Sequence, residues 1–156
     1  MPERHGKADM IAVRGCMFPD DRCYDARKNV WLKSEDSNVV LLGATSFGVA
    51  LASEFLAFIP KPIGTLVEAD RAVGLLELAK TIVSVRTPIA GEIVAFNQAA
   101  VVDPSIINAD PYEDGWLVKL KVDNWGGAKR SLVSGSAIAP AFEEAMRLEN
   151  FEGREE

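Results

Sequence analysis

Few side chains in this sequence could carry out chemistry by themselves. The single histidine, His5, lies in a polar N-terminal segment. A Ser-His-Asp or Cys-His engine needs an imidazole held beside its nucleophile, and the chain offers no other. Cys16 and Cys23 have six residues between them. That spacing fits neither a CxxC redox pair nor the common zinc knuckles. Two cysteines and one histidine also fall short of a four-ligand zinc site. The two thiols are expected to be reduced, small and partly buried, as in a reducing compartment. Glu113 and Asp114 adjoin, but no base or metal set stands beside them in the sequence. A small carboxylate-dependent enzyme is therefore a weak reading, and a carrier or binding module is the better one.

Composition narrows the choice further. The chain has 156 residues, enough for one domain with a real core. Lys and Arg number 17 and Asp and Glu 23, a net charge of −6. Nucleic-acid binding needs a cationic face that displaces counterions, so that class is excluded. No uninterrupted apolar run marks a secretory signal. Residues 38–60 carry one charge, Glu54, over a length that could span a bilayer. Gly43, Thr45, Ser46 and Gly48 break that stretch, which reads better as a buried strand followed by a short core helix. No membrane association is expected, and the expected compartment is the cytoplasm.

The elements that would position a site read mainly as strands. Residues 1–14 are expected to be a mobile segment, 15–151 a single domain and 152–156 a frayed tail. Gly15 to Pro19 reads as a turn entry. Asn29 to Lys33, a polar turn and Val39 to Leu42 read as a hairpin. Ser46 could cap a helix reaching about Phe58, with Leu51, Phe55, Phe58 and Ile59 as core anchors. Leu66 to Ala69 is a short strand candidate. Residues 72–85 are ambiguous: Leu75, Leu78, Ala79 and Ile82 share a helical face, whereas the β-branched run from Thr81 to Val85 argues for a strand. Glu92 to Phe96 is a strand, and Asn97 to Val102 a connection. Asp103-Pro104 opens a helical turn over 104–107. Trp116 to Val122 alternates most clearly as a strand, and Trp125-Gly126-Gly127 is a turn. An amphipathic helix closes the chain over 137–151. Trp31 and Trp116 read as core aromatics, and Tyr112 as a loop anchor.

Within that frame, Gly74, Glu77, Lys80, Thr87-Pro88 and Gly91-Glu92 stand in a specific register. The pattern resembles the lipoyl-attachment segment of the glycine cleavage H proteins. The resemblance continues through Asn108 to Leu117, and upstream through Tyr24, Trp31 and Gly43, covering about residues 24 to 125. It implies a mainly β, lipoyl-domain-like barrel-sandwich hybrid with short peripheral helices and a C-terminal helix. It turns residues 72–85 into a hairpin. It also implies that Lys80, at the tip, carries lipoic acid in amide linkage, and that Glu77 and Gly91 serve recognition by the lipoylation machinery. Biotin, the rival arm, is disfavoured because Ala79 and Thr81 are not the flanking methionines of biotinyl domains.

The chain also departs from the H-protein pattern. Asn29 stands where a histidine is usual, and Glu54 to Pro62 replaces an acidic, Gly-Asp-containing segment. The N-terminal Arg14 to Pro19 and the long acidic C-terminal helix are also atypical. In these features the chain is similar to the lipoate-binding proteins of sulfur-oxidising prokaryotes, relatives of the H protein. That likeness implies a non-enzymatic carrier of sulfur-bound intermediates. Its partners would be a lipoate ligase or lipoyl transferase, a heterodisulfide-reductase-like complex and dihydrolipoamide dehydrogenase. The alternative is an H protein proper, carrying an aminomethyl group between decarboxylase, aminomethyltransferase and dihydrolipoamide dehydrogenase.

Overall fold

The computed structural model describes residues 8–153. His5 and the first half of the expected mobile segment, residues 1–7, lie outside them. Strand β1 (Met10–Val13) pairs with β2 (Cys16–Pro19) around a turn at Arg14 and Gly15. Both turn residues have positive φ, 47° and 83°. Ordered structure thus begins ahead of Gly15, and the expected turn entry at 15–19 is mostly strand. Alternation explains the miss. Val13, Cys16 and Phe18 are buried and Met10 and Met17 exposed, but four-residue strands show too little of that pattern to be read from sequence.

Strands β3 (Cys23–Asp25), β4 (Val30–Asp36) and β5 (Val39–Ala44) then form a meander. Helix α1 (Ser46–Ala52) follows, capped by Thr45, whose Oγ1 accepts the Gly48 N–H at 3.0 Å. The helix expected to reach Phe58 stops six residues short. Ser53, with φ of 70°, ends it, and the chain turns into β6 (Ala57–Pro60). Phe55 and Phe58 are core anchors as expected, whereas Leu51 and Ile59 are exposed. The apolar spacing that mimicked one helical face belongs to two elements of different period.

Next come β7 (Leu66–Val67), β8 (Ala72–Glu77), β9 (Ile82–Arg86) and β10 (Gly91–Phe96). The expected connection after Asn97 is helix α2 (Gln98–Val102), with Asn97 as its cap. Helix α3 (Ser105–Ala109) occupies the predicted helical turn, extended by two residues. Strand β11 (Val118–Lys121) is the core of the clearest predicted strand. The expected turn at Trp125 is a single helical turn, α4 (Trp125–Ala128). Two 3-10 turns at 129–131 and 135–137 lead into the closing helix α5 (Ile138–Leu148).

The strands form two open sheets beside the β1–β2 hairpin. One has the order β3-β4-β5-β11-β10-β7 and the other β6-β8-β9, with every pair antiparallel. Val40, Leu42, Ile93 and Leu120 of the first sheet share a core with Phe58, Leu76 and Val85 of the second. Burying each such side chain contributes about 1.5–3 kcal/mol, which fixes the small sheet on the large one. A second core joins Phe18, Tyr24, Trp31 and Phe47 to Phe142 and Met146 of α5. There Phe18 stacks on Phe142 at 4.1 Å between ring centroids, with Tyr24 edge-on to Phe142 at 5.5 Å. Gly43 is required beneath Trp31, because a Cβ at 43 would lie 2.5 Å from the indole ring. The mainly β fold with short helices and a terminal helix is the one expected.

Candidate functional site

The candidate site is the hairpin of β8 and β9. Leu75 opposes Ser84, Leu76 opposes Val83 and Glu77 opposes Ile82. A turn from Leu78 to Thr81 joins the strands, closed by the Leu78 N–H donating to the Thr81 carbonyl at 2.8 Å. Lys80 is the third residue of that turn and is exposed. Its ammonium makes no hydrogen bond or ion pair among the described residues. The Leu-Leu-Glu-Leu-Ala-Lys run has high helix propensity, yet it folds as strand and turn. Strand β8 is the central strand of its sheet, hydrogen-bonded to β6 and β9 on either side. Leu76, buried at 3%, enters the core, while Glu77 faces out. Tertiary pairing overrides a propensity worth only tenths of a kcal/mol per residue.

Glu77 stands at the end of β8 and is exposed. Its backbone carbonyl accepts the Leu56 N–H at 2.7 Å, and its carboxylate has no partner among the described residues. Gly91 is different. A Cβ there would sit 2.9 Å from the Lys121 carbonyl oxygen and 3.2 Å from Val122 Cγ1. The close approach of β10 to β11 thus gives position 91 a packing reason to be glycine. Thr87 shapes the turn before it, its Oγ1 donating to the Ile89 carbonyl at 2.6 Å.

Beside the hairpin lies an apolar cleft of about 260 Å³. Leu76, Leu78, Val83 and Val85 form one wall, and Leu51 and Phe55 part of the other. Asn29 and Lys28 complete it. The Lys28 Nζ lies 2.6 Å from Asp70 Oδ1 and 3.4 Å from Asp25 Oδ2. The hydrogen bond to Asp70 holds the lysine above its ordinary pKa and the Asp70 carboxyl below its own.

The other candidates are structural. Glu113 pairs with Arg22 at 3.2 Å, and the Asp114 N–H donates to Asp110 Oδ2 at 3.1 Å. Both cysteines are free thiols, Cys16 buried and Cys23 half-buried. Burial pushes the Cys23 thiol up, against the pull of Lys129. Among the described residues no cluster of His, Cys, Asp and Glu could hold a metal ion, and no helix is long and apolar enough to cross a membrane. Trp31 is buried, whereas Trp116 is half-buried beneath the Lys119 ammonium. Tyr112 is the anchor expected of it: its hydroxyl donates to the Met17 carbonyl at 2.6 Å and accepts the Ser46 N–H at 2.9 Å. Arg22 was not legible from sequence. It is buried 4.7 Å over the Trp31 ring and donates to the Tyr112 carbonyl at 2.8 Å. Only the unusual Asp-Asp-Arg run before a strand hinted at a paired, buried guanidinium.

A rigid two-sheet frame that pushes one unpaired lysine out on a tight β-turn defines a carrier domain of the lipoyl type. Comparison with known proteins makes this specific. The family described as glycine cleavage H-protein matches residues 22–145. Glycine cleavage system H protein 5 of Aquifex aeolicus is 38% identical over 134 residues, covering 83% of this chain and 90% of that one. Probable glycine cleavage system H protein 3 of Saccharolobus solfataricus is 36% identical over 137 residues, covering 88% and 97%. The crystal structure of a glycine cleavage system H protein from Mycobacterium marinum superposes with a TM-score of 0.68 at 28% identity, covering 85% of this chain and 99% of that one. The chain belongs to the glycine cleavage H-protein family. Members of the family are carriers without catalytic activity, and they bear lipoic acid covalently on a lysine.

Proposed function

We propose that Lys80 is the lipoyl-bearing lysine and that the chain carries a reaction intermediate between enzymes. The observation that carries this is the exposed, unpaired ammonium of Lys80 at a turn whose two strands are anchored in a packed sheet. The fit is good: nothing at the tip occludes the amine, and the turn's closing hydrogen bond leaves it at the apex. The attached dithiolane supplies reversible thiol–disulfide chemistry. The protein's own part is to hold the amine outward and keep its base stiff. Glu77 offers a free carboxylate to the attaching enzyme. Gly91 serves the frame, letting β10 lie against β11, and does not itself touch the attaching enzyme.

The names of the relatives favour an H protein of glycine cleavage, carrying an aminomethyl group among decarboxylase, aminomethyltransferase and dihydrolipoamide dehydrogenase. A second reading is a carrier of sulfur-bound intermediates serving a heterodisulfide-reductase-like complex. One observation favours it. Two departures from the H-protein pattern, Asn29 and the apolar segment containing Phe55, both line the cleft beside the hairpin. Either role is proposed for the cytoplasm, where two free thiols persist.

Intact mass tests the shared claim. Native protein should carry one lipoyl increment, and Lys80→Arg should carry none. A Lys80→Arg protein that still gains the increment overturns the assignment. Growth on glycine of an H-protein deletion strain, restored by this chain, selects the glycine-cleavage reading. Failure there, with loss of sulfur-compound oxidation on deletion of this gene, selects the other.

A further inference from the structure

Helix α1 is held firmly at its start and lightly at its end. The Ser46 N–H donates to the Tyr112 hydroxyl at 2.9 Å, and the Ser46 hydroxyl to the Met17 carbonyl at 2.7 Å. Phe47 and Val49 are buried, whereas Leu51 near the far end is exposed. At that end Ser53 has φ of 70° and ψ of −68°. The Glu54 N–H reaches back across it to the Ala52 carbonyl at 2.9 Å. This is a γ-turn of the positive-φ hand, a conformation that strains a residue with a side chain. Two more hydrogen bonds straddle the turn. Asn108 Nδ2 donates to the Ser53 carbonyl at 2.9 Å, and the Phe55 N–H donates to Asn108 Oδ1 at 3.1 Å. Asn108 belongs to α3, which is itself firmly seated. Its Ile107 is fully buried, and a Cβ at Gly115 would lie 2.9 Å from the Ile107 Cα.

We infer that Asn108 latches a sprung turn, and that its release swings the end of α1 outward and widens the cleft beside the hairpin. With the latch closed, Leu51 and Ala52 help to wall that cleft, which Leu78 and Val83 also line. When the two Asn108 bonds break, Ser53 relaxes to the negative φ that side-chain-bearing residues prefer. The movement is bounded on both sides. Ser46 pins the start of α1, and the Leu56 N–H is tied to the Glu77 carbonyl at 2.7 Å. A short segment between two fixed points, strained and clamped by one side chain, has two discrete arrangements close in energy. The Asn108 to Trp116 stretch, which the attachment of a group to Lys80 leaves without a part, thereby gains one: it carries the latch. Leu78 opens the turn that holds Lys80, so the latch sets how wide a cleft lies beside any group borne there. That consequence rests on the reading of Lys80 given above, whereas the latch itself does not.

Amide hydrogen exchange of the full-length protein tests the latch. The reporters are the Ser53 and Glu54 amides, whose acceptors, Val49 and Ala52, do not involve Asn108. In the unmutated protein they should exchange by a shared local opening, about tenfold or more faster than the amides of β8. Asn108→Ala should speed them about tenfold further and leave β8 unchanged, as expected for loss of two hydrogen bonds. Adding Ser53→Gly to Asn108→Ala should return them to within about twofold of the wild type, because glycine takes positive φ without strain. The dye anilinonaphthalene sulfonate should fluoresce more strongly with Asn108→Ala than with the wild type or the double variant. Unchanged exchange in Asn108→Ala, or no rescue by Ser53→Gly, overturns the latch, since a side chain that merely packs would not be replaced by glycine at another position. Faster exchange with unchanged dye fluorescence overturns the widening. If Asn108→Ala fails to fold, the unmutated protein decides: Ser53 and Glu54 amides no faster than those of β8 overturn the latch. All these measurements use unmodified protein. A Lys80→Arg chain that accepts lipoate overturns the attachment site instead, so the two failures are distinct.

Discussion

Gly91→Ala separates a packing role from a contact role at one position. The new methyl group would lie 2.9 Å from the Lys121 carbonyl oxygen, 3.2 Å from Val122 Cγ1 and 3.4 Å from Leu120 Cβ. Two of these are fixed parts of β11 and its side-chain base, so rotation cannot relieve the clash. Overpacking of this kind costs about 1–3 kcal/mol. Loss of glycine's freedom in the unfolded chain offsets about 0.4–1 kcal/mol of it. The net loss should be about 1–2 kcal/mol, or a drop in melting temperature of about 2–8 °C for a chain of this length. Circular dichroism melts and urea titrations measure it. Attachment at Lys80, followed by intact mass well below the melt, should proceed at the wild-type rate. An unchanged melting temperature combined with slow attachment refutes the packing argument and makes Gly91 a contact of the ligase.

Glu77→Ala should slow attachment severalfold while leaving stability within about 0.5 kcal/mol, since an exposed, unpaired carboxylate contributes little to the fold. A large fall in melting temperature would show that Glu77 is structural. Burial raises both Tyr24 and Tyr112, the latter to about 12. Their stabilising effect is complete below pH about 10 and is lost as pH climbs beyond it. Tyrosinate absorbance should therefore appear for these two together with unfolding, and Tyr112→Phe should cost about 1–3 kcal/mol by stranding the Ser46 N–H. Burial tends to raise Asp21, but the hydrogen bonds and charges of Arg22 and Lys33 outweigh it and hold the carboxyl below its usual range. The stability this supplies is full above pH about 4 and is lost as pH falls below that. Denaturation midpoints compared at neutral and acid pH should show a smaller acid loss in Asp21→Asn.

Much of the frame was legible in the chain. The β4–β5 hairpin announced itself by two apolar runs around a polar turn, and β11 by strict alternation. The β8–β9 hairpin was not legible from pattern alone. Its residues satisfy a helical face and a strand equally, and pairing with β6 decides between them. That pairing is invisible locally, because Phe58 and Ile59 looked like the end of a helix. The register of Gly74, Glu77, Lys80 and Gly91 supplied what periodicity could not. Helix α2 escaped because its cap, Asn97, also fits a loop. Arg22 escaped because burial of a guanidinium depends on Trp31 and Tyr112, which the fold brings to it from distant positions.

The molecule keeps two cores. One glues the two sheets together, and the other binds the β1–β2 hairpin to α5, with Arg14 joined to Glu143 at 2.7 Å. This is a division of labour. Substitutions around Phe142 or Met146 can retune the temperature at which the protein survives, while the hairpin that presents Lys80 stays as it was.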